Sequence, residues 1–406
     1  MNPLSTLRRH DLLSLAILAV IILIILPLML DIFRLNLVGK YLTYAFVAVG
    51  LVLCWGMGGI LSLGQGVFFG LGGYGMAMFL KLESSTPEAT AIQSTPGIPD
   101  FMDWNQLTEL PVFWLPFQSF TLTVIAILVV PALFAAFIGF AMFSRRVSGV
   151  YFAIITQAIA LILTVLVIGQ QGFTGGVNGI TDLRTLLGWD IRTDTARYAF
   201  YYINGVLLIG AMVAALFVQR SRLGRLLTAV RVSEDRVRFS GYSVAHLKTF
   251  VFCAAAVVSA IGGAMFTLQV GFMSPTLIGI VPSIEMVIYC AVGGRLSVFG
   301  AVYGTLLVNG LKTSLSESFP ELWLFGLGAV FIAVVMFFPN GLAGVYQSVR
   351  DRLGKRRAVR PGSVAPGASS ANGDGLVPAD GTVAAEGSPP SQDARAPVPA
   401  GAVTLS

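Results

Sequence analysis

The chain has 406 residues, of which 55% are hydrophobic and only 11% are charged. Soluble domains carry about 25% charged residues, so this composition excludes an ordinary soluble globule and indicates that lipid supplies much of the solvent. The net charge of +6 does not indicate a nucleic-acid partner, because membrane proteins concentrate Lys and Arg on their cytoplasmic side. We therefore expect an all-α, polytopic integral membrane protein that does not bind nucleic acid.

Ten apolar segments approach the length of about 20 residues that a helix needs to cross a bilayer. The third segment is rich in glycine, and the eighth is short and ends in Gly293-Gly294-Arg295, so both are expected to be short or broken spans. The ten predicted spans are 12–30, 41–57, 59–80, 119–143, 149–168, 198–219, 249–270, 284–296, 298–315 and 321–339.

Basic residues are distributed unevenly between the two sides of these spans. With the N-terminus inside, 19 of the 26 Lys and Arg residues fall on the inner side, which predicts that both termini are cytoplasmic. Residues 1–345 are predicted to form the transmembrane domain. Residues 346–406 begin basic and become rich in Ala, Gly, Pro and Ser, so we expect a disordered cytoplasmic tail.

The glycine-rich third span carries small residues at helical spacing. Steps of three and four residues place them on one face of a helix, where another helix backbone can approach closely. This predicted packing face consists of Gly66, Gly70, Gly73 and Ala77, continued by Ser62. The other glycines of the segment favour a helix that bends, breaks or lines a pathway.

Polar residues inside apolar spans are candidates for a solute pathway, because each must find a partner or face water. Gln65 lies between two glycines, and it either lines the pathway or makes an interhelical hydrogen bond. Gln157 in the fifth span is open to the same two interpretations. The candidate pathway residues are Ser62, Gln65, Gln157, Asn178, Thr181 and Glu285.

The segment QQGFTGGVNGITD, residues 170–182, contains four glycines together with Asn178 and Thr181. It is either a tight turn in an outer loop or a gate over the pathway. Its many backbone and side-chain hydrogen-bonding groups are compatible with both interpretations.

Residues 220–248 form a basic segment that interrupts the apolar spans on the predicted cytoplasmic side. A short amphipathic helix ending near Gly241 fits the pattern. The segment is either a solvated loop or a docking surface for a cytoplasmic partner, and its length favours docking.

Motifs for bond chemistry are missing from the sequence. We find no phosphate-binding P-loop, no zinc-protease motif and no Ser-centred hydrolase motif, and the three cysteines have no metal-type spacing. We therefore predict no catalytic residues and no metal site, and expect the chain not to be an enzyme. Few acids lie inside the spans, which argues against a proton-driven carrier.

Five stretches of the sequence resemble the inner-membrane permeases of ATP-binding-cassette (ABC) importers for branched-chain amino acids and urea. Within that family the chain is most similar to the second permease subunit of urea importers. The resemblance covers residues 40–345 and is carried by SLGQGVFFGLGGY (62–74), LPVFWLPF (110–117), GFTGGVNGITD (172–182), the 220–248 segment and FPELWLFGLG (319–328).

The resemblance implies a machine rather than a single chain. It implies a second permease subunit, most simply as a heterodimer, two cytoplasmic ATPase subunits that hold ATP and Mg²⁺, and an extracytoplasmic solute-binding protein. This chain itself would carry no cofactor, and its location would be the bacterial cytoplasmic (inner) membrane. The residues that would couple it to the ATPases are Arg225, Ala229, Arg231, Glu234, Asp235 and Gly241.

The expected function is therefore a permease for urea uptake. Urea is small and neutral, and amide, hydroxyl and backbone groups can match its carbonyl and amino groups without fixed charge. The alternatives are the same machine importing branched-chain amino acids or short amides, a stand-alone channel or secondary carrier, and a structural scaffold.

Overall fold

A computed structural model describes residues 9–147 and 149–318, with residues 325, 326, 328, 329, 332, 336 and 341–344. The described chain is almost entirely helical, which confirms the predicted all-α polytopic class. The 346–406 tail and most of the tenth predicted span, 321–339, lie outside the described residues.

The first span consists of α1 (Arg9–Val20), a π-helical turn (Ile21–Ile25) and α2 (Leu26–Met29). Only 6% of its most apolar stretch is buried within the protein, so it lies at the periphery of the bundle. The second span is α3 (Ile32–Leu51), which continues as a π-helix (Val52–Met57) and is 83% buried.

The third predicted span begins later than expected. Residues 58–64 contain no regular secondary structure, and α4 runs without interruption over Gln65–Ser84. The break therefore precedes Gln65, and the glycines after it are contained in a continuous helix. Although α4 is 20 residues long, it is not among the helices that are both long and apolar enough for a span.

After α4 the chain forms a long loop, which is followed by two helices with little buried surface. The loop contains α5 (Asp100–Trp104) and a 3-10 helix (Val112–Gln118). It leads into α6 (Phe120–Ser144) and α7 (Val150–Gly169), each of which is only 28% buried. Many large apolar side chains of α6 and α7 are exposed, as expected for helices that contact lipid.

A compact loop region follows α7. It contains α8 (Gln171–Thr174), a 3-10 turn (Gly176–Asn178) and an antiparallel two-stranded hairpin, β1 (Thr185–Leu186) and β2 (Trp189–Asp190). The long helix α9 (Asp194–Arg220) then returns through the bundle.

The basic segment 220–248 forms two short helices instead of one. These are α10 (Arg222–Val232) and α11 (Glu234–Phe239), and α12 (Val244–Val270) follows. α10 begins where the hydroxyl of Ser221 accepts a hydrogen bond from the backbone of Gly224, a standard N-cap.

The last described elements form a bent pair. α13 (Ile280–Gly293) follows a 3-10 turn (Pro275–Leu277) and meets α14 (Val298–Ser318) at an angle of 119°. Within the described residues, six helices are long and apolar enough to cross a membrane, or seven if the bent pair is one span. The predicted ten exceeds this number because α4 and the bent pair were counted as three spans and the tenth lies outside the described residues.

The centre of the bundle is α12, which packs most extensively against α4, α6 and α3. Glycine makes this closeness possible: a Cβ at Gly72 would collide with the carbonyl of Ala260, and one at Gly263 with the carbonyl of Phe69. In lipid, such close backbone packing replaces the hydrophobic drive that water provides in soluble proteins.

Candidate functional site

The two ends of the bundle are distinguished by their loops. We call the end formed by residues 220–248 the basic end, and the end formed by residues 81–118 and 169–197 the loop end. The candidate residues fall into four places: the start of α4, the loop end, the middle of the α13–α14 pair and the basic end.

The start of α4 is a buried meeting point of four helices. Gln65 is fully buried, and its Oε1 accepts a hydrogen bond of 3.1 Å from the hydroxyl of Ser259 on α12. The backbone N–H of Gly66 donates to Ser283 Oγ on α13 over 3.1 Å. The backbone N–H of Leu63 donates to Thr156 Oγ1 on α7 over 3.1 Å.

We call Ser62, Gln65, Thr156, Ser259 and Ser283 the polar junction. All five are neutral, and each is at most 4% exposed. The junction retains unused hydrogen-bonding capacity, because Gln65 Nε2 is buried and has no partner among the described residues. An unpartnered buried donor costs about 1–3 kcal/mol, so such a group in a native protein calls for an explanation.

The proposed packing face of α4 lies beside this junction. Gly66 and Gly70 approach Ile278, in the turn before α13, and Gly73 approaches Met273. Ala77 is also fully buried. Gly66, Gly70 and Gly73 therefore face the 271–283 segment, while Gly72 makes the closest approach to α12, which Gly73 also contacts.

Gln157 does not join the polar junction. It follows Thr156 on α7, is half-buried, and has no hydrogen bond among those found in the described chain. Since successive residues of a helix point about 100° apart, a neighbouring position need not share a site.

At the loop end, Asn178 and Thr181 are exposed, and their segment is held from two sides. Ile180 pairs with Met273 as an antiparallel bridge, and the indole of Trp114 donates to the carbonyl of Phe173 over 2.9 Å. Lys81, 5% exposed, donates to the carbonyl of Thr181 over 3.1 Å.

Lys81 also forms an ion pair with Asp100 in α5, whose carboxylate lies 3.0 Å from the Lys81 Nζ. The long 81–118 loop thereby fixes the 170–182 segment through a mostly buried ion pair.

Nearby, the hydrogen bond from Arg184 lowers the pKa of Asp182 below its usual range. Asp182 therefore stays ionised at neutral pH.

Glu285 lies in a different place from the polar junction, although Ser283 is only two residues away. Both carboxylate oxygens lie 2.8 Å from Lys312 Nζ on α14, and the hydroxyl of Tyr289 donates to one of them over 3.0 Å. A cavity of about 230 Å³ adjoins this ion pair and is lined partly by Lys40, Tyr44 and Lys312. The ion pair explains how an acid is accommodated within an apolar helix.

The basic end brings together the predicted coupling residues, but they face different ways. Arg225, Ala229 and Asp235 are exposed, and Gly241 has φ of +84°, which suits the turn after α11. A groove of about 410 Å³ lies between α10 and α11 and is lined by Ala229, Val232, Ser233 and Arg236 among others.

Glu234 is half-buried and Arg231 is exposed, and both make contacts within the chain. Glu234 pairs with Lys248 over 2.6 Å and with Arg238 over 2.9 Å, so it holds α11 against the start of α12. Arg231 donates to the backbone carbonyl of Gly56 at the end of the second span.

We expect Glu234→Ala to reduce the stability of the basic end by about 2 kcal/mol, because Lys248, 7% exposed, would lose its charged partner. Thermal unfolding of the purified chain and amide hydrogen exchange over residues 234–239 measure this. Asp235→Ala is the matched control: its side chain is 83% exposed, so the change should stay within about 0.5 kcal/mol. Equal effects of the two variants would contradict the role given to Glu234.

Sequence reasoning did not identify Thr156, Ser259, Ser283 or the Glu285–Lys312 pair. The signal for the ion pair was present, because an acid and a lysine inside apolar spans each require a partner. Within the described residues, no group of three or more His, Cys, Asp or Glu side chains is placed to hold a metal ion.

A polytopic helical bundle with a buried polar junction and a structured basic loop has the architecture of a membrane transport protein. The chain belongs to the family of permease components of branched-chain amino acid transport systems, whose model matches residues 33–335.

Individual relatives agree with this family. The chain is 25% identical over 329 residues to the high-affinity branched-chain amino acid transport system permease protein LivM of Salmonella typhimurium, covering 74% of this chain and 67% of the relative. It is 26% identical over 326 residues to LivM of Escherichia coli, with the same coverage. It is also 27% identical over 125 residues, 29% of this chain and 33% of the relative, to the xylose transport system permease protein XylH of Haemophilus influenzae. No solved structure matches the chain significantly.

Proposed function

We propose that this chain is the permease subunit of an ATP-driven importer and that its solute is urea. The observation that carries the choice of solute is the polar junction at the start of α4. It is neutral and buried, and Gln65 Nε2 supplies a buried donor that has no partner among the described residues. Urea has one carbonyl acceptor and two amino donors, which an amide and several hydroxyl groups can match.

The proposed machine has further parts. A second permease subunit would complete the pathway, two ATPase subunits would dock at the basic end, and an extracytoplasmic binding protein would deliver urea at the loop end. The membrane would be the bacterial inner membrane, with the basic end and both termini in the cytoplasm. Family membership, the uneven distribution of Lys and Arg and the exposed groove between α10 and α11 support this arrangement.

Branched-chain amino acids are the second candidate solute, because the two LivM relatives are named as permeases of branched-chain amino acid transport systems. A zwitterion would need charged partners or helix ends, and the Glu285–Lys312 pair with its adjoining cavity supplies charged groups inside the bundle.

Uptake of labelled urea in a strain lacking this chain, restored by the cloned gene, tests the proposal. We expect uptake that depends on ATP and on the ATPase subunits, and that excess leucine does not compete. Competition by leucine would favour the amino-acid candidate. Uptake by the purified chain alone in liposomes would favour a channel or secondary carrier.

The ATPase docking surface yields its own prediction. Phe239, at the end of α11, is 91% exposed and directly precedes Ser240, which lines the groove, so it is placed to be an apolar anchor for a partner. We expect Phe239→Ala to reduce co-purification of the ATPase subunits about tenfold or more, with little change in the amount of permease in the membrane. Phe33→Ala is the matched control, because Phe33 is 72% exposed and lies at the opposite end of the bundle. Equal co-purification of the two variants would exclude Phe239 as an anchor.

A further inference from the structure

The second span ends against α10. At the end of the π-helix Val52–Met57, the backbone of residues 58–60 donates to earlier carbonyls of the helix, and the carbonyls of Gly56 and Met57 receive no backbone hydrogen bond from the described residues that follow. The guanidinium of Arg231, in the last turn of α10, donates to one of them, the carbonyl of Gly56. The aliphatic part of Arg231 also packs on Gly59, whose φ of +69° begins the break before α4.

The same point contacts the turn between α13 and α14. The backbone of Arg295 lies against Gly56 so closely that a Cβ on Gly56 would collide with its carbonyl. The guanidinium of Arg295 lies 5.3 Å from the ring centroid of Trp55, a cation–π contact. α10 is therefore attached to the end of the second span where that span also meets the bent pair.

Only two residues, 60 and 61, separate Gly59 from Ser62, the first residue of the polar junction, and five separate it from Gln65. Residues 60–64 run from Gly59 to Gln65, and they are fixed at the far end by the hydrogen bond from Leu63 to Thr156. Gly64 packs against the Thr156 carbonyl with no room for a side chain. Residues 60–64 are therefore held at both ends, beside Arg231 at Gly59 and beside Thr156 at Leu63 and Gly64, so a displacement of Gly59 acts directly on the segment that leads into α4.

We propose that Arg231 is a positioning residue that transmits movement of α10 to the polar junction through residues 58–64. The inference rests on the proposed function, since it assumes that ATPase subunits move the basic end. Arg231 does not contact solute in this arrangement, and it is not required for docking. It acts by attaching residues 58–64, the break between the second span and α4, to α10, which is the helix that the ATPases would move.

The test uses the full transporter, with the second permease, both ATPases and the binding protein, in lipid nanodiscs. Amide hydrogen exchange over residues 58–66 is measured with and without ATP, alongside ATPase co-purification and urea uptake. For the wild type we expect an exchange difference between the two conditions. For Arg231→Ala we expect that difference to vanish and uptake to fall about tenfold or more, while the ATPases still co-purify and hydrolyse ATP.

Two further variants sharpen the test. Arg222→Ala removes an exposed arginine from the first turn of the same helix and should behave like the wild type. Arg231→Lys keeps the charge but loses the guanidinium geometry, so an intermediate exchange difference is expected. It also replaces Arg231→Ala if that variant fails to reach the membrane.

The proposal is overturned if Arg231→Ala retains the ATP-dependent exchange difference, or if it loses the ATPases, since Arg231 would then be a docking residue. Failure of the proposed function has a separate signature. In that case the wild-type transporter itself would show no ATP-dependent uptake of urea, whereas the exchange comparison between variants would still report on Arg231.

Discussion

Gln65→Glu is expected to lower urea uptake about a hundredfold or more while leaving the chain in the membrane. Gln65 is fully buried, and its only described side-chain partner is the hydroxyl of Ser259. A carboxylate there would be dehydrated without a cation beside it, and a protonated carboxyl would lose one of the two amide N–H donors. Uptake of labelled urea in the reconstituted transporter measures the effect.

Gln118→Glu is the matched control, because Gln118 is exposed at the loop end and should tolerate a charge. Gln65→Leu separates the two interpretations of this residue. A pathway role predicts loss of uptake, whereas a purely interhelical hydrogen bond predicts a lower unfolding temperature with uptake retained. Normal uptake by Gln65→Glu would remove the polar junction from the pathway.

Gly263→Ala is expected to destabilise the bundle by about 1–3 kcal/mol. The new methyl group would collide with the backbone carbonyl of Phe69, and backbone cannot rotate away as a flexible side chain can. The helices α4 and α12 would have to separate along their closest contact. Thermal unfolding in detergent measures the change.

The matched control for this substitution is Gly210→Ala on α9. A methyl group at Gly210 meets nothing within 4 Å, and alanine is the better helix former by roughly 1 kcal/mol. We therefore expect Gly210→Ala to be neutral or stabilising. Similar losses of stability in both variants would mean that replacing any helical glycine destabilises the bundle, and that the α4–α12 contact is not the cause.

The long apolar helices could be predicted from sequence because each is a continuous run with a clear end. α9 and α12 were expected as spans 198–219 and 249–270. In the structure α9 begins four residues earlier, toward the loop end, and α12 begins five residues earlier, toward the basic end. The break before α4 could not be located. Glycines that favour a bend or a break occur both in residues 58–64 and within α4, at Gly72 and Gly75, so the sequence did not show which of them mark the break.

The polar junction was predictable only in part. Gln65 was conspicuous as an amide among glycines, but Ser259 is 194 positions away in the chain, and nothing local marks it. Arg231 was recognised as a loop residue for a partner, and only the fold shows that its guanidinium reaches Gly56. Contacts of this kind depend on how distant helices cross, which periodicity does not encode.

The glycines of α4 also bear on how the protein is made. Glycine dilutes the apolar character of this helix, and α4 is not among the described helices that are long and apolar enough to cross a membrane. Its principal neighbour, α12, begins about 160 residues later in the chain. At a synthesis rate of about 5–20 residues per second, α4 waits roughly ten to thirty seconds for the helix that buries it. Until then, the close backbone contact between Gly72 and Ala260 is missing, and α4 lacks its principal neighbour.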